Sequence, residues 1–297
     1  MNKKVLLQLD SKKRFVISGL VPILTLFILI YVYPIFSAFF ISLSNWKLLS
    51  KNRSFIGFDN YIKVIFDPVF QKSFINTVYF VAAYLFLTLF LGLGLALFIN
   101  SLKKPYQTLL QVILFLPVVT ITVAATLIWQ WMYVPSFGIY NYLLGFLNIG
   151  PLKFLKSSST VMPSIIIMTI WKWLGVNVVI FLAGLQSIPE QYYEAAKIDG
   201  AGPFLIFKRI TLPMLKPTLE YISVTTILAA MQVFTEVFML TAGGPGIASR
   251  VVAFHIYEVG FKFLKIGEAS AAAFILFAFI LLMTIFQFRV FRREELY

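Results

Sequence analysis

The sequence of 297 residues contains no cysteine and a single histidine. Without thiols there is no disulfide, no thiolate nucleophile and no cysteine metal ligand, and the redox compartment is not written in the composition. His255 lies among Phe254 and Tyr257 with no second ligand candidate nearby, so a packed or interfacial histidine is expected and no metal site. Charge is scarce too: Asp, Glu, Lys and Arg make up 12% of the residues, against roughly 25% in ordinary soluble domains. No stretch fits the phosphate-binding loop pattern G-x-x-x-x-G-K-S/T, so nucleotide energy would have to come from another chain.

What fills the sequence instead is apolar. Hydrophobic residues make up 60%, the mean hydropathy is +0.89 and there are 32 Phe. Apolar runs cover 15–43, about 74–99, 107–133, 161–185, 218–241 and 267–288. A membrane crossing needs about 20 such residues, so the fold expected is all-α, a polytopic membrane protein with six transmembrane helices. The first run is too long for a signal-peptide core and lacks a small-residue cleavage site; an uncleaved span bent by Pro22 and Pro34 is expected. The expected layout is a basic tail over 1–14, a six-span domain over 15–290 that includes a polar loop at 187–217, and a short tail over 291–297. No cluster of His, Asp or Glu falls at one depth, as a membrane enzyme would require.

The net charge of +13 would suggest nucleic acid in a soluble protein, but here the basic residues flank apolar spans and set topology. The amino-terminal tail, the loop 100–106, the loop 187–217 and the carboxy-terminal tail carry more Lys and Arg than the longer loops 44–72, 134–160 and 242–266. Both termini and the polar loop are therefore expected on the cytoplasmic side of the membrane. Trp129 and Trp131, near the outer end of the third run, read as interfacial anchors.

The polar loop has legible local physics. Ser187 and Glu190 have the spacing of a capping box, predicting a helix from about Ile188. Gly200, Gly202 and Pro203 end it, Gly200 being suited to a left-handed backbone. A second helix is predicted from Pro203 to about Ile210, stopped by Leu212-Pro213, with Pro217 opening the next span. Ala195 and Ala196 give a smooth surface, and Glu190, Glu194, Lys208 and Arg209 supply orienting charge, as in a docking element.

Polar groups inside spans suggest a solute pathway. Thr225, Gln232 and Glu236 share one face of the fifth span if its helix is continuous, and Thr169, Trp173 and Asn177 recur every four residues in the fourth, near Gly175. Amide and carboxylate groups beside an aromatic plate suit a sugar. The same Thr, Gln and Asn residues could equally tie helices together. Three partners are open to Lys172: Glu236, a second subunit, or an acidic substrate.

Glu194-Ala195-Ala196, then Gly200, then Ile210-x-Leu212-Pro213 resembles the EAA loop of binding-protein-dependent ABC importer permeases, and IDGAG (198–202) and ITLP (210–213) resemble the carbohydrate-uptake branch. FIGFDNYIKVIFDPVF (55–70) with Asn76-Thr77, and LTAGGPG (240–246), resemble the outer segments of sugar permeases. The resemblance covers nearly the whole chain and implies a type I importer fold of the maltose and glycerol-3-phosphate permease kind. The extra amino-terminal spans and large outer domain of the maltose-type permease have no counterpart here, so their contacts are not expected.

The resemblance implies that Glu190, Glu194, Ala195, Ala196, Asp199, Gly200, Ile210, Leu212 and Pro213 couple the chain to an ABC ATPase dimer, which binds the ATP and Mg while this chain binds no cofactor. It implies a substrate path at Trp173, Leu174, Gly175, Asn177, Thr225, Thr226, Gln232 and Glu236, and an outer turn at Gly243, Gly244 and Pro245. A second homologous permease, forming a heterodimer, an extracytoplasmic solute-binding protein and the lipid bilayer are the implied partners; nucleic acid is not. A sugar or oligosaccharide is the implied cargo. A sugar phosphate, glycerol phosphate or peptide stays open as cargo. An ion-coupled secondary transporter is the rival, although such a protein should show charge pairs in several spans and an inverted repeat.

Overall fold

A computed structural model describes residues 16–50 and 53–292. The basic tail 1–14 and all but the start of 291–297 lie outside the described residues. The described residues are helical apart from turns, loops and one isolated bridge between Ser44 and Phe55. In chain order the helices are α1 (Val16–Ser42), α2 (Asp59–Phe66), α3 (Pro68–Asn100), α4 (Lys104–Val119), α5 (Thr122–Met132), α6 (Ile139–Gly145), α7 (Val161–Gln186), α8 (Glu190–Ile198), α9 (Pro203–Ile206), α10 (Lys216–Met231), α11 (Thr235–Thr241), α12 (Val252–Tyr257) and α13 (Ile266–Arg292). Helices α1, α3, α7 and α13 are each long and apolar enough to cross a membrane. The pairs α4–α5 and α10–α11 reach that length only jointly, bent by 98° and 46°. Counting each pair as one crossing gives the six expected spans.

The chain divides into two compact units, the first formed by 1–64 with 258–275. In it, Asn60 fastens the end of α1: its amide donates to the carbonyls of Ser42 (2.8 Å) and Ser44 (2.9 Å). Tyr61 shares a hydrogen bond of 2.7 Å with Ser42. Leu48 N–H donates to Leu264, and Gly267 N–H to Trp46, closing the loop onto the start of α13. Of the two prolines expected to bend α1, Pro22 lies in regular helix, and Pro34 follows a π turn at Ile28–Val32 that takes up the hydrogen bond it cannot make.

The second unit holds 65–257 and 276–297. Helix α3 packs along α7, and two apolar clusters line their contact. One gathers Phe80, Trp129, Tyr133, Ile165, Met231 and Phe254; the other gathers Ala96, Ile99, Phe181, Leu185, Leu215 and Ile222. Trp129 is a correction to the sequence reading: only 3% exposed and set among Tyr133, Tyr140 and Trp171, it is a core residue. The aromatic packing of the 134–160 loop, through Tyr140 and Phe154, buries it. Trp131 is 74% exposed, as an anchor would be.

Breaking a span within a bilayer leaves backbone carbonyls without water to bond. At the α4–α5 break, Pro117 lies inside the last turn of α4, and Thr120 and Ile121 turn extended. Lys172 of α7, 1% exposed, donates from Nζ to the carbonyls of Pro117 (3.2 Å) and Thr120. An ammonium at the carbonyl end of a helix is favoured by the helix dipole. Lys172 therefore caps the break, directing its donors to these carbonyls rather than forming an ion pair with Glu236. The approach of α7 to α4 depends on Gly175, where an added Cβ would collide with the carbonyl of Leu114.

Replacing Lys172 with Met should destabilise the protein by about 1–3 kcal/mol, the range for leaving buried polar groups unsatisfied. Thermal unfolding of the purified transporter checks this, with Lys172→Arg expected to retain much of the wild-type midpoint. An unchanged midpoint for the Met variant would show that the break needs no cap.

Candidate functional site

The fifth span is where a largely apolar cavity with a few polar groups opens. Helix α10 ends at Met231, Gln232 and Val233 carry the chain round the bend, and α11 restarts at Thr235. The face expected to run unbroken through Thr225, Gln232 and Glu236 is thus interrupted, yet all three residues line one cavity of about 320 Å³. Glu236 is 8% exposed and lies in the first turn of α11, where a carboxylate meets the positive end of the helix. Thr226 joins them from α10, and Thr169, Trp173 and Asn177 enter from α7.

The expected site is brought together with two exceptions. Leu174 and Gly175 do not line the cavity; Leu174 packs against both apolar clusters, and Gly175 meets the α4 backbone. The second span supplies what the sequence reading missed: Phe80 and Tyr84, stacked with ring centroids 5.7 Å apart, form a wall of the cavity. The spacing of Phe80, Tyr84 and Thr88, four residues apart within an apolar helix, was the signal available. Val176, Phe234 and Thr235 complete much of the remaining lining.

Hydrogen bonding separates helix ties from cavity groups. Thr169, Asn177, Thr225 and Gln232 all bond carbonyls of their own α7 or α10 chain segment, so none ties two spans together. The ties come from other residues. Gln130 of α5 donates to the Met239 and Leu240 carbonyls of α11. Asn76 of α3 donates to the carbonyls of Ile247 and Arg250, both at 2.9 Å, and Thr77 accepts from Val252 N–H.

Those last bonds hold the outer turn. Ala242 (φ 47°) and Gly243 (φ 82°) take left-handed backbone and end α11, as expected of Gly243-Gly244-Pro245. Ser249 closes the turn by donating to the Gly244 carbonyl at 2.6 Å. Nearby His255 is buried against the Phe70 ring, with Nδ1 3.4 Å from Arg250, and no cluster suited to a metal occurs among the described residues.

The polar loop forms an exposed elbow. Helix α8 begins at Glu190, two residues later than predicted, and the capping box does not form. Ser187 still has helical backbone and donates to the Gly184 carbonyl at 2.7 Å, closing α7 instead. Gly200 (φ 76°) ends α8: its N–H reaches the Lys197 carbonyl, and Ala201 N–H reaches that of Ala196, a complete Schellman motif. The second helix does not stop at Leu212-Pro213. A π turn at Phe207–Thr211 absorbs the hydrogen bond that Pro213 removes, and the helix continues through Met214. Pro217 is the second residue of α10 rather than the first. Ile188 and Leu215 are buried at the elbow's two ends in the cluster with Ile99 and Phe181, and Tyr193 meets Thr211 across it at 3.3 Å. Glu190, Glu194, Ala195, Asp199, Gly200 and Pro213 face outward, with Ala196, Ile210 and Leu212 half-buried.

Residues 88–295 match the family model of the binding-protein-dependent transport system inner membrane component. The chain is 34% identical over 281 residues to the probable ABC transporter permease protein YurN of Bacillus subtilis, covering 93% of this chain and 96% of that one. It is 34% identical over 280 residues to the trehalose/maltose transport system permease protein MalF of Thermococcus litoralis (93% of each), and 30% identical over 278 residues to the lactose transport system permease protein LacF of Rhizobium radiobacter (92% and 93%). A chain of a bacterial ABC transporter for the acidic polysaccharide alginate shares the fold, with a TM-score of 0.85 at 24% identity over 97% of this chain and 99% of that one. The chain belongs to the family of binding-protein-dependent transport system inner membrane components and is a multi-pass, all-α membrane protein.

Proposed function

We propose that the chain is the permease subunit of an ABC importer that carries a sugar or oligosaccharide across the cytoplasmic membrane. The observation that carries this reading is the cavity at the bend of the fifth span, where the rings of Trp173, Tyr84 and Phe234 stand beside the polar groups of Asn177, Thr226, Gln232 and Glu236. Rings take the apolar face of a pyranose, and amides, hydroxyls and a carboxylate take its hydroxyls. Relatives named for trehalose/maltose, arabinooligosaccharides and lactose support the same cargo class.

Energy enters at the elbow. The exposed face of α8, with Glu190, Glu194, Ala195 and the protruding Ile198 (86% exposed), docks on an ABC ATPase dimer that binds ATP and Mg. Because Ile188, Leu215 and Tyr193 root the elbow among α3, α7 and α10, a displacement of α8 is passed to the helices that wall the cavity. Alternating access follows, with a solute-binding protein delivering cargo at the outer turn and a second homologous permease completing the passage. The elbow and both termini are then cytoplasmic.

Reversing charge with Glu194→Lys, or strain with Gly200→Val, should abolish ATP-driven uptake while the protein still reaches the membrane; a β-branched side chain in left-handed backbone costs about 1–2 kcal/mol. Normal uptake by both variants in reconstituted vesicles would refute the coupling role. A reporter fused near Gly202 should be cytoplasmic and one near Gly246 external, and the reverse pattern would invert the topology. Trp173→Leu and Gln232→Leu should lower sugar uptake with subunit stoichiometry intact; unchanged kinetics for both would remove these residues from the passage.

A further inference from the structure

We infer that the cavity selects uncharged saccharides, and that Glu236 is the residue that turns away carboxylated and phosphorylated ones. This deepens the reading of the cavity as a saccharide passage and rests on it. Among the residues that line the cavity, Glu236 is the one with a charged side chain; there is no Lys, Arg or His.

The nearby cation is Lys172, which is not part of the lining. It is directed to the carbonyls of Pro117 and Thr120, and its ammonium lies 5.0 Å from the centroid of the Trp173 ring. Freeing it to meet a ligand would uncap the α4–α5 break. An acidic sugar entering the cavity would therefore lose its hydration without contacting a cation of this chain, and would face a carboxylate as well. Two like charges about 6 Å apart at an effective dielectric of about 20 repel strongly enough to change an equilibrium by on the order of a hundredfold, before screening by solvent and by the opposing field of Lys172, which lowers it.

A neutral sugar meets the opposite situation. Its hydroxyls donate to the Glu236 carboxylate and exchange hydrogen bonds with Asn177, Gln232 and the threonines, while its ring lies on Trp173, Tyr84 or Phe234. The same wall that attracts a polyol thus discriminates against its uronate or phosphate. Specificity of this kind comes from a repulsive element as much as from an attractive one.

The test compares two probes that differ at one carbon, methyl glucoside and methyl glucuronide. Their binding to the complete purified transporter in nanodiscs, without solute-binding protein, is followed by saturation-transfer NMR titration. The glucoside should bind at least roughly tenfold more tightly than the glucuronide. Glu236→Gln, which keeps hydrogen-bonding capacity and removes the charge, should narrow that ratio severalfold. Equal or tighter binding of the glucuronide to the unsubstituted transporter would overturn the inference, as would a ratio unaltered by Glu236→Gln. If the variant fails to assemble, the comparison on the unsubstituted protein still decides. Binding of neither probe would overturn the saccharide-passage reading itself, and the charge selection with it.

Discussion

A bilayer offers no water to an unpaired carbonyl, and two of this chain's apolar segments are broken into bent helix pairs. The structure depends on how those breaks are closed. At the first, a 98° turn is closed by the buried ammonium of Lys172, which reaches from α7 to the carbonyls around Pro117. At the second, the milder 46° bend places Glu236 in the first turn of α11. Each break thus holds a charge at the end of a helix where the dipole favours its sign. The two charges differ in consequence: the cation is consumed by the backbone, and the anion is left at the cavity wall.

The bend of the fifth span creates the cavity. A straight helix through 216–241 would carry Gln232 and Glu236 on one face against α7. The bend instead exposes Gln232 and opens space bounded by α3, α7 and α10, where Phe80 and Tyr84 stand opposite the polar groups. The surrounding supports are polar side chains on backbone carbonyls: Asn76 on the outer turn and Gln130 on α11. Thr169, Asn177, Thr225 and Gln232 bond within their own helices, so cargo can exchange hydrogen bonds with these four without loosening the bundle.

Much of this was legible in the sequence, for physical reasons. Six apolar runs correspond to four helices of spanning length and two bent pairs, because length and hydropathy decide membrane crossing almost alone. Gly200 was readable as a left-handed terminator, and Trp173, Asn177 and Glu236 as cavity residues from polar spacing. What was not legible depended on tertiary contact or on helix irregularity. Ser187 looked like a cap but remained in the preceding helix. Pro213 looked like a stop, yet a π turn accommodated it. Lys172 read as a functional charge until the break it caps was visible, and Leu174 and Gly175 shared a motif with Trp173 while facing other helices. Trp129 appeared to be an anchor because nothing local announced the aromatic residues that bury it.

On the proposed reading, the cavity at the bend of the fifth span is the passage for a sugar. The chain lacks cysteine, so a single thiol placed at Thr225, on the cavity wall, gives an unambiguous probe in the assembled transporter. A water-soluble maleimide should modify Thr225→Cys on this chain, and an imported saccharide should slow the modification while an equal concentration of a sugar that is not imported does not. A thiol there that stays unreactive throughout ATP turnover, or that reacts at the same rate whether or not the imported saccharide is present, would contradict it.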